Sequence, residues 1–277
     1  GRPGLVSCAL SAIDVALWDL KARLLGLPLC RLLGQIHDQV PIYGSGGFTS
    51  YDDDQLTGQL RRWVEELAIP RVKIKIGQNW GADAARDLAR VALTRATVGP
   101  RTEVYVDANG GYTTGQAVRV ARELEALGVS WFEEPVSSDD LAGLATVRSK
   151  VAPDVTAGEY GYDLTYFERM CAARAVDCLQ VDITRCGGVT EWQRVAAVAA
   201  AHNMDVSAHC APNLHAHAAA ATQNLRHVEY FHDHVRIEQL LFDGCLDPHG
   251  GSLRPNVSAS GHGLRLRHDH ANRYQIA

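Results

Sequence analysis

Eight short runs of β-forming residues alternate with seven longer helical patterns between residues 40 and 231. The predicted strands are 40–44, 71–76, 103–107, 130–134, 155–158, 178–183, 205–209 and 227–231. The predicted helices are 53–67, 82–97, 114–127, 138–149, 163–173, 189–202 and 213–224. Such alternation requires a parallel sheet with right-handed crossovers. Because eight units in about 190 residues fit a closed barrel better than an open sheet, we predict an α/β fold, a (β/α)8 TIM-type barrel.

Two segments flank the predicted barrel, which takes up residues 40–241. Residues 1–39 read as helical, and an amphipathic helix over residues 8–25 has an apolar face too extensive to stay in water. Residues 242–277 are richer in Gly, His and Pro, and we expect them to leave the barrel and pack back against the first helices. The first methionine is Met170, so we expect the chain to be a fragment or a processed product.

Charge and cysteine content exclude several function classes. The formal net charge of −5 provides no basic surface for nucleic acid or anionic lipid, and no apolar stretch reaches the roughly 18 residues of a membrane span. The seven cysteines are odd in number and form no CxxC pair, which argues against a disulfide framework or a zinc knuckle. We therefore expect a cytoplasmic protein in a reducing setting, with a small molecule as its partner.

Two lysines alternate with apolar residues on the second predicted strand. Because successive side chains on a strand point to opposite faces, Lys73 and Lys75 share one face and Ile74 lies on the other. Facing the barrel interior, the lysines would carry a large desolvation cost unless anions compensate them. The alternative is the reverse register, with both lysines in solvent.

Compensating carboxylates end three successive strands. Asp107, Glu133 and Glu159 follow one another at intervals of 26 residues, one strand–helix unit each. The C-terminal ends of barrel strands meet at one mouth, where barrel active sites lie. Three convergent carboxylates repel one another unless a cation joins them, and the hard, oxygen-preferring Mg²⁺ suits such ligands. The alternative is three unrelated surface acids.

The last three predicted strands add two acids and a histidine. Asp182 ends the sixth strand and His209 the seventh, so the carboxylate can accept the imidazole Nδ1–H, fix its tautomer and raise its basicity. Glu229 on the eighth strand is a further acid at the mouth, either structural or catalytic.

These residues, in this order and spacing, resemble the enolase superfamily, and specifically its mandelate racemase subgroup. The matching phrases are VDANGGY, WFEEP, AGE, QVDITRCGG and the opening SAIDVALWDLKARLLGLPLCRLLG. The resemblance covers nearly the whole chain. It implies an enolase C-terminal-domain-like barrel with remnants of an α+β capping domain, of which residues 1 to about 35 would be the tail.

The resemblance also implies a role for each site residue. Lys75 would abstract the proton α to a substrate carboxylate, while Lys73 would lower the pKa of Lys75 and touch that carboxylate. His209, oriented by Asp182, would act from the opposite face. The Mg²⁺ ligands would be Asp107, Glu133 and Glu159.

A base on each face of the substrate allows two outcomes. Our prediction is dehydration of an acid sugar to a 2-keto-3-deoxy acid, and the alternative is racemisation or epimerisation of a 2-hydroxy acid by the same pair. By the resemblance, Glu229 would donate a hydrogen bond to the enediolate and Asn109 would hold the substrate. From position alone, we expect Tyr43, Tyr160 and His232 to line a polar pocket for hydroxyl groups.

Three further hypotheses stay open. His215-Ala-His217 has the HxH form of zinc-dependent amidohydrolases, but in those barrels the HxH ends the first strand. Here it opens the seventh predicted helix, which favours two histidines on the helix surface. The chain could also be a truncated remnant that binds Mg²⁺ without turnover, or part of a homo-oligomer, since members of the resembled family are often symmetric oligomers.

Overall fold

A closed barrel of eight parallel strands forms the centre of the computed structural model, which describes residues 2–276. Neighbouring strands pair in chain order, and the first pairs with the eighth to close the barrel. The strands are β1 (Val40–Gly46), β2 (Arg71–Lys75), β3 (Glu103–Asp107), β4 (Val129–Glu133), β5 (Asp154–Ala157), β6 (Cys178–Val181), β7 (Asp205–Ala208) and β8 (Leu225–Phe231). The predicted (β/α)8 barrel is confirmed, with each predicted strand boundary within two residues of the observed one.

Helices connect the strands and pack on the outside of the barrel. They are α3 (Asp53–Arg61), α4 (Ala84–Val98), α5 (Thr114–Ala126), α6 (Leu141–Arg148), α7 (Leu164–Ala172), α8 (Gly188–Ala201), α9 (Pro212–Ala219) and α10 (His232–Leu241), after α1 (Leu5–Leu24) and α2 (Leu29–Leu32). A π-helical turn, Arg62–Glu66, continues α3 and completes the predicted helix 53–67. The sequence interpretation did not include α10, which follows β8 directly.

Helix α1 makes polar contacts with α8, and its Val15 and Trp18 pack against the core. The indole N–H of Trp18 donates to Thr190 Oγ1 at 2.8 Å, and Thr190 N–H donates to Asp14 Oδ1 at 3.0 Å. The predicted apolar face points the other way, with Leu17 59% and Leu24 78% exposed. Within the described residues, the periodicity correctly predicts the helix, but the apolar face does not make its contact with the barrel.

The segment after α10 returns to the N-terminal helices. Leu29 N–H donates to the carbonyl of Gly261 at 2.7 Å, and His262 N–H donates to Asp19 Oδ1 at 2.8 Å. The short strands here are β9 (Phe242–Asp243), β10 (Ser252–Leu253) and β11 (Arg265–Leu266), followed by the helix α11 (His268–Ala271). β10 pairs antiparallel with the start of β1. The domain boundaries at residues 39 and 241 stay predictions.

An aromatic layer fills the barrel below its C-terminal mouth. This layer, the barrel floor, consists of Tyr43, Tyr105, Trp131, Cys178 and His227, all buried. The rings of Tyr105 and Trp131 stack with centroids 5.4 Å apart, and the rings of Tyr43 and His227 meet edge-on at 4.7 Å. The floor therefore closes the barrel beneath the mouth.

None of the helices in residues 2–276 has the length and apolarity needed to cross a membrane.

Candidate active site

Strand register brings the predicted residues of β2, β3 and β4 into one row at the mouth. Lys75 pairs with Asp107, and Asp107 pairs with Glu133, as Cα partners across the sheet. Lys73, two residues before Lys75, is fully buried inside the barrel. The inward register is therefore confirmed, and the alternative of two solvent-exposed lysines is wrong.

The three predicted metal ligands form one buried cluster. One carboxylate oxygen each from Asp107, Glu133 and Glu159 lies within 4.8 Å of the other two. Burial and the neighbouring charge of Asp107 raise the pKa of Glu133 to about 8. Glu159 Oε2 is buried and makes no hydrogen bond of good geometry, although His209 Nε2 lies 3.2 Å away. Crowded, buried carboxylates fit a divalent cation, which would neutralise their repulsion.

The two lysines pair with this cluster. Lys73 Nζ lies 2.6 Å from both carboxylate oxygens of Glu133 and 2.8 Å from Glu229 Oε1. Lys75 forms an ion pair with Asp107. Burial would lower the pKa of Lys75, but the Asp107 carboxylate outweighs that effect, so the pKa is raised. Lys73 acts to lower the pKa of Lys75, as expected, but the direct anionic partner Asp107 outweighs both burial and Lys73, so the net shift is upward in this arrangement.

The imidazole of His209 is held between two acids. Its Nδ1 lies 2.8 Å from Asp182 Oδ2, and its Nε2 lies 3.2 Å from Glu159 Oε2. Asp182 also accepts hydrogen bonds from the backbone N–H and hydroxyl of Thr184, both at 2.7 Å. Burial would raise the pKa of Asp182, but the hydrogen bond from His209 outweighs it and the pKa falls to about 2. The pKa of His209 is raised, because nearby Glu159 outweighs the opposing effect of burial.

Glu229 closes the site from β8. Its Oε1 accepts from Ser45 Oγ at 2.6 Å, and its Oε2 accepts from the backbone N–H of Cys210 at 2.9 Å. Burial would raise the pKa of Glu229, but the charge of Lys73 outweighs burial and holds the pKa well below its usual range. The environment thus favours the ionised form, opposite to the hydrogen-bond donor that the resemblance implies.

Several residues at the site were missed from the sequence. Glu134 is buried beside Glu133 with a left-handed φ of 38°, and Cys210 is buried beside His209. Gln180 Nε2 donates to Glu133 Oε2 at 2.6 Å. Two sequence signals could have identified them. Glu134 and Cys210 each lie next to a predicted site residue, and Gln180 lies two residues before Asp182, on the same face of the strand.

The expected polar pocket forms only in part. Tyr160, 46% exposed, lines a cavity of about 520 Å³ together with Asn109 and Ser138. Asn109 also lines a second cavity of about 600 Å³, which Lys75 borders. Two expected residues lie elsewhere: Tyr43 belongs to the barrel floor, and His232 lines a separate cavity beside α3. Their expected places in the pocket were wrong.

The two histidines of the HxH are buried in α9, so the helix-surface interpretation is also wrong. His215 Nε2 accepts the backbone N–H of Ile183 at 3.0 Å. His217 Nδ1 accepts the backbone N–H of Cys30 at 3.3 Å. Both side chains thus anchor neighbouring backbone.

Comparison with known proteins places this geometry in a family. Residues 55–270 match the family model "Enolase C-terminal domain-like", and residues 4–34 match "Mandelate racemase / muconate lactonizing enzyme, N-terminal domain". The L-talarate/galactarate dehydratase of Salmonella typhimurium is 33% identical over 90% of this chain. The chain spans 64% of that relative's length.

Solved structures show the same fold, one of them with higher identity. A mandelate racemase/muconate lactonizing enzyme-like protein from Rubrobacter xylanophilus is 48% identical, with a TM-score of 0.93 over 99% of this chain and 75% of that one. An L-talarate dehydratase from Polaromonas sp. JS666, complexed with Mg and L-glucarate, is 33% identical, with a TM-score of 0.88 over 98% of this chain and 74% of that one. The chain therefore belongs to the enolase superfamily, within its mandelate racemase/muconate lactonizing enzyme group.

Proposed function

We propose that this chain catalyses Mg²⁺-dependent abstraction of the proton α to the carboxylate of a sugar acid, with dehydration to a 2-keto-3-deoxy acid as the outcome. The observation that carries the proposal is the placement of Lys75 and His209 on opposite sides of the carboxylate cluster. Lys75 pairs with Asp107 at one side, and His209 Nε2 lies 3.2 Å from Glu159 at the other. A substrate held at the cluster would then have a proton-transfer group on each face.

Mg²⁺ would be held by Asp107, Glu133 and Glu159, whose buried oxygens are already grouped. The ion would supply a Lewis acid for the substrate carboxylate and stabilise the charge that forms as the α-proton leaves. The solved Polaromonas relative with bound Mg and L-glucarate supports this ligand chemistry. Glu159 Oε2, which makes no hydrogen bond of good geometry, gives the cluster a further oxygen ligand for the ion.

With Asp107 serving as a ligand of the ion instead of pairing with Lys75, burial and the charge of Lys73 would favour neutral Lys75, and the α-proton would pass to it. In the next step, loss of the β-hydroxyl, His209 would act as the acid and protonate the departing hydroxyl. Asp182 would orient the His209 ring through Nδ1, which lies 2.8 Å from its carboxylate. Lys73, bridging Glu133 and Glu229, would place its positive charge beside the substrate carboxylate. Glu229 accepts from both Lys73 and Ser45, and in its ionised form this carboxylate would hold Lys73 in position.

Dehydration is preferred over racemisation for two reasons. The cavity of about 520 Å³ adjoins the Lys75 cavity at Asn109, and its lining includes the amide of Asn109 and the hydroxyls of Ser138 and Tyr160, which suit a polyhydroxylated substrate. The Salmonella and Polaromonas relatives carry the names of sugar-acid dehydratases. Asn109, which borders both cavities, would hold the substrate.

The test is proton NMR in D₂O with Mg²⁺ and a panel of aldonate and aldarate sugar acids. We expect loss of the α-proton signal and new 2-keto-3-deoxy resonances, because proton abstraction precedes loss of the β-hydroxyl. Lys75→Ala is the control for the base, with its fold checked by circular dichroism. Exchange that persists undiminished in Lys75→Ala would contradict the assignment, and an epimer in place of the keto acid would favour racemisation.

A further inference from the structure

A second group of metal-ligating atoms lies at the mouth beside the three carboxylates, with His209 Nε2 at 3.2 Å from Glu159 Oε2. It consists of His209, Cys210 and Glu229, each buried, with one ligand atom from each within 4.8 Å of the others. Cys210 Sγ lies 3.2 Å from His209 Nε2 and 3.4 Å from Glu229 Oε2. His209 Nε2 lies 3.8 Å from Glu229 Oε2. One nitrogen, one sulfur and one oxygen therefore lie within 3.8 Å of one another.

These separations match the edges of a tetrahedron around zinc. With Zn–S near 2.3 Å and Zn–N or Zn–O of about 2.0–2.2 Å, the ligand atoms of a tetrahedral site lie roughly 3.3–3.6 Å apart. The observed range of 3.2–3.8 Å brackets that interval, so small side-chain shifts would complete the site. Three protein ligands would leave a fourth position open, as in a zinc site that binds a further ligand.

The residues around the group already hold two of its members in place. Asp182 Oδ2 contacts His209 Nδ1 at 2.8 Å, the carboxylate–histidine contact that orients an imidazole for a metal. Glu229 is fixed through its other oxygen by Ser45 at 2.6 Å and Lys73 at 2.8 Å. The oxygen that faces Cys210 and His209 thus stays in place.

The backbone at Cys210 fixes the third member. Its φ of 54° is left-handed, a conformation that a non-glycine residue rarely adopts. The backbone N–H of Cys210 donates to Glu229 Oε2 at 2.9 Å, and its carbonyl lies 2.8 Å from His215 Nδ1. Turned in this way, the thiol points back toward His209 and Glu229.

We propose that His209, Cys210 and Glu229 form a second metal site, selective for a soft divalent cation such as Zn²⁺, whose occupation removes His209 and Glu229 from the chemistry of the mouth. Thiolate and imidazole ligands select Zn²⁺ over Mg²⁺, which prefers oxygen. Binding at this site goes beyond the proposed function, and its measurement does not depend on turnover.

The Cys210 thiol gives the site a spectroscopic signal. A coordinating metal deprotonates its thiol ligand, so thiolate formation reports directly on occupation of the site. The resulting charge-transfer absorption with Cd²⁺, a spectroscopic substitute for Zn²⁺, is specific to a sulfur ligand.

The test uses the complete 277-residue chain saturated with Mg²⁺, so that the carboxylate cluster is occupied. Titration with Cd²⁺ is expected to produce one equivalent of thiolate-to-metal absorption in the wild type and none in Cys210→Ser. Calorimetry with Zn²⁺ should show binding weakened by about 100-fold or more in the variant, because loss of even an outer partner typically weakens binding about 10–100-fold. Cys8→Ser, at another unpaired cysteine, is the matched control and should behave as wild type.

Three outcomes would overturn the site. They are no thiolate absorption in the wild type, absorption that survives in Cys210→Ser, and absorption lost in Cys8→Ser. Zinc X-ray absorption on the wild type keeps the proposal falsifiable if Cys210→Ser does not fold: it should show one sulfur near about 2.3 Å. A shell of oxygens alone would place zinc among the carboxylates and contradict the proposal.

Discussion

The mouth and the floor of the barrel are built on the same strands, two residues apart, and have opposite chemistry. Tyr105 and Trp131 belong to the floor, while Asp107 and Glu133, two positions further along β3 and β4, belong to the mouth. The floor is aromatic and mostly uncharged, whereas the mouth holds crowded carboxylates and two lysines. Because inward side chains recur every second residue, one strand can supply packing to one layer and reactive groups to the next.

The largest expected effect is that of a variant at the mouth, which should change activity without changing stability. Lys75→Ala should lower α-proton exchange by about 10²–10⁴-fold, because the proton-accepting group is removed. Its free energy of unfolding in Mg²⁺ should change little, since the floor is untouched. NMR exchange rates and urea unfolding measure the two effects. Lys150→Ala, at an exposed surface lysine, is the matched control, and equal loss of exchange in both variants would sink the assignment.

The next largest effect comes from the floor. Tyr105→Ala should lower the free energy of unfolding by about 3–5 kcal/mol, as for other large aromatic truncations in cores, because its ring stacks on Trp131 at 5.4 Å. Exchange per folded molecule should stay near wild type. Tyr105→Phe keeps the ring and loses only the hydroxyl contact with Glu103, so it should be destabilised far less. A Tyr105→Ala variant of unchanged stability would show that the floor carries little packing energy.

A smaller effect distinguishes the two regions by pH. Burial, followed by the charge of Arg226, holds the pKa of His227 in the floor well below 6.5. Below about pH 6.5 the unfolded chain therefore binds a proton that the folded chain does not. As the pH is lowered, His227 reduces the free energy of unfolding by at most about 1.4 kcal/mol per pH unit. Asp182 at the mouth, with a pKa of about 2, loses its contribution only as pH falls below its unfolded value near 3.8.

Urea unfolding between pH 7 and 5 tests this difference. His227→Asn should show a shallower fall in stability than the wild type as the pH is lowered through this range. Identical slopes for wild type and His227→Asn would mean that His227 does not stay neutral in the folded state.

The smallest expected effect concerns a hydrogen bond between the floor and the mouth. Trp131 lies in the floor, yet its indole N–H donates to Glu133 Oε2 at 3.0 Å. Trp131→Phe keeps an aromatic ring and loses that bond, so Mg²⁺ binding should weaken by about tenfold. Calorimetry measures it, with Trp192→Phe as the control, because Trp192 donates a similar bond to Thr222 away from the mouth. Equal Mg²⁺ affinity in both variants would show that the floor contributes to packing and not to Mg²⁺ binding.

Strand periodicity predicts most of the fold and the members of the site. The carboxylates Asp107, Glu133 and Glu159 end successive strands, so their convergence follows from the barrel alone. Pairing between the charges does not follow from spacing. Distances across the sheet decide that Lys75 contacts Asp107 more closely than Lys73 does. Because of this contact the pKa of Lys75 is raised, whereas the sequence had led us to expect a lowered pKa.

Local patterns also could not give burial where the backbone leaves regular geometry. Cys210 turns inward because of a left-handed φ, which no periodicity predicts. His215 and His217 read as surface residues of a short helix, but α9 is covered on both sides and its imidazoles serve neighbouring backbone. Such contacts are tertiary, and a single sequence gives no signal for them.

The seam between β1 and β8 has a consequence for the order of folding. Ser45 and Glu229 meet across it although they are 184 residues apart, and Lys73 reaches Glu229 from the next strand. Contacts so distant along the chain form slowly, because a long loop must close first. Lys73 thus lacks one of its two close anionic partners until the last strand docks. Pulse-labelled hydrogen exchange should therefore show β2 and β8 gaining protection together, making the charged mouth a late event in refolding.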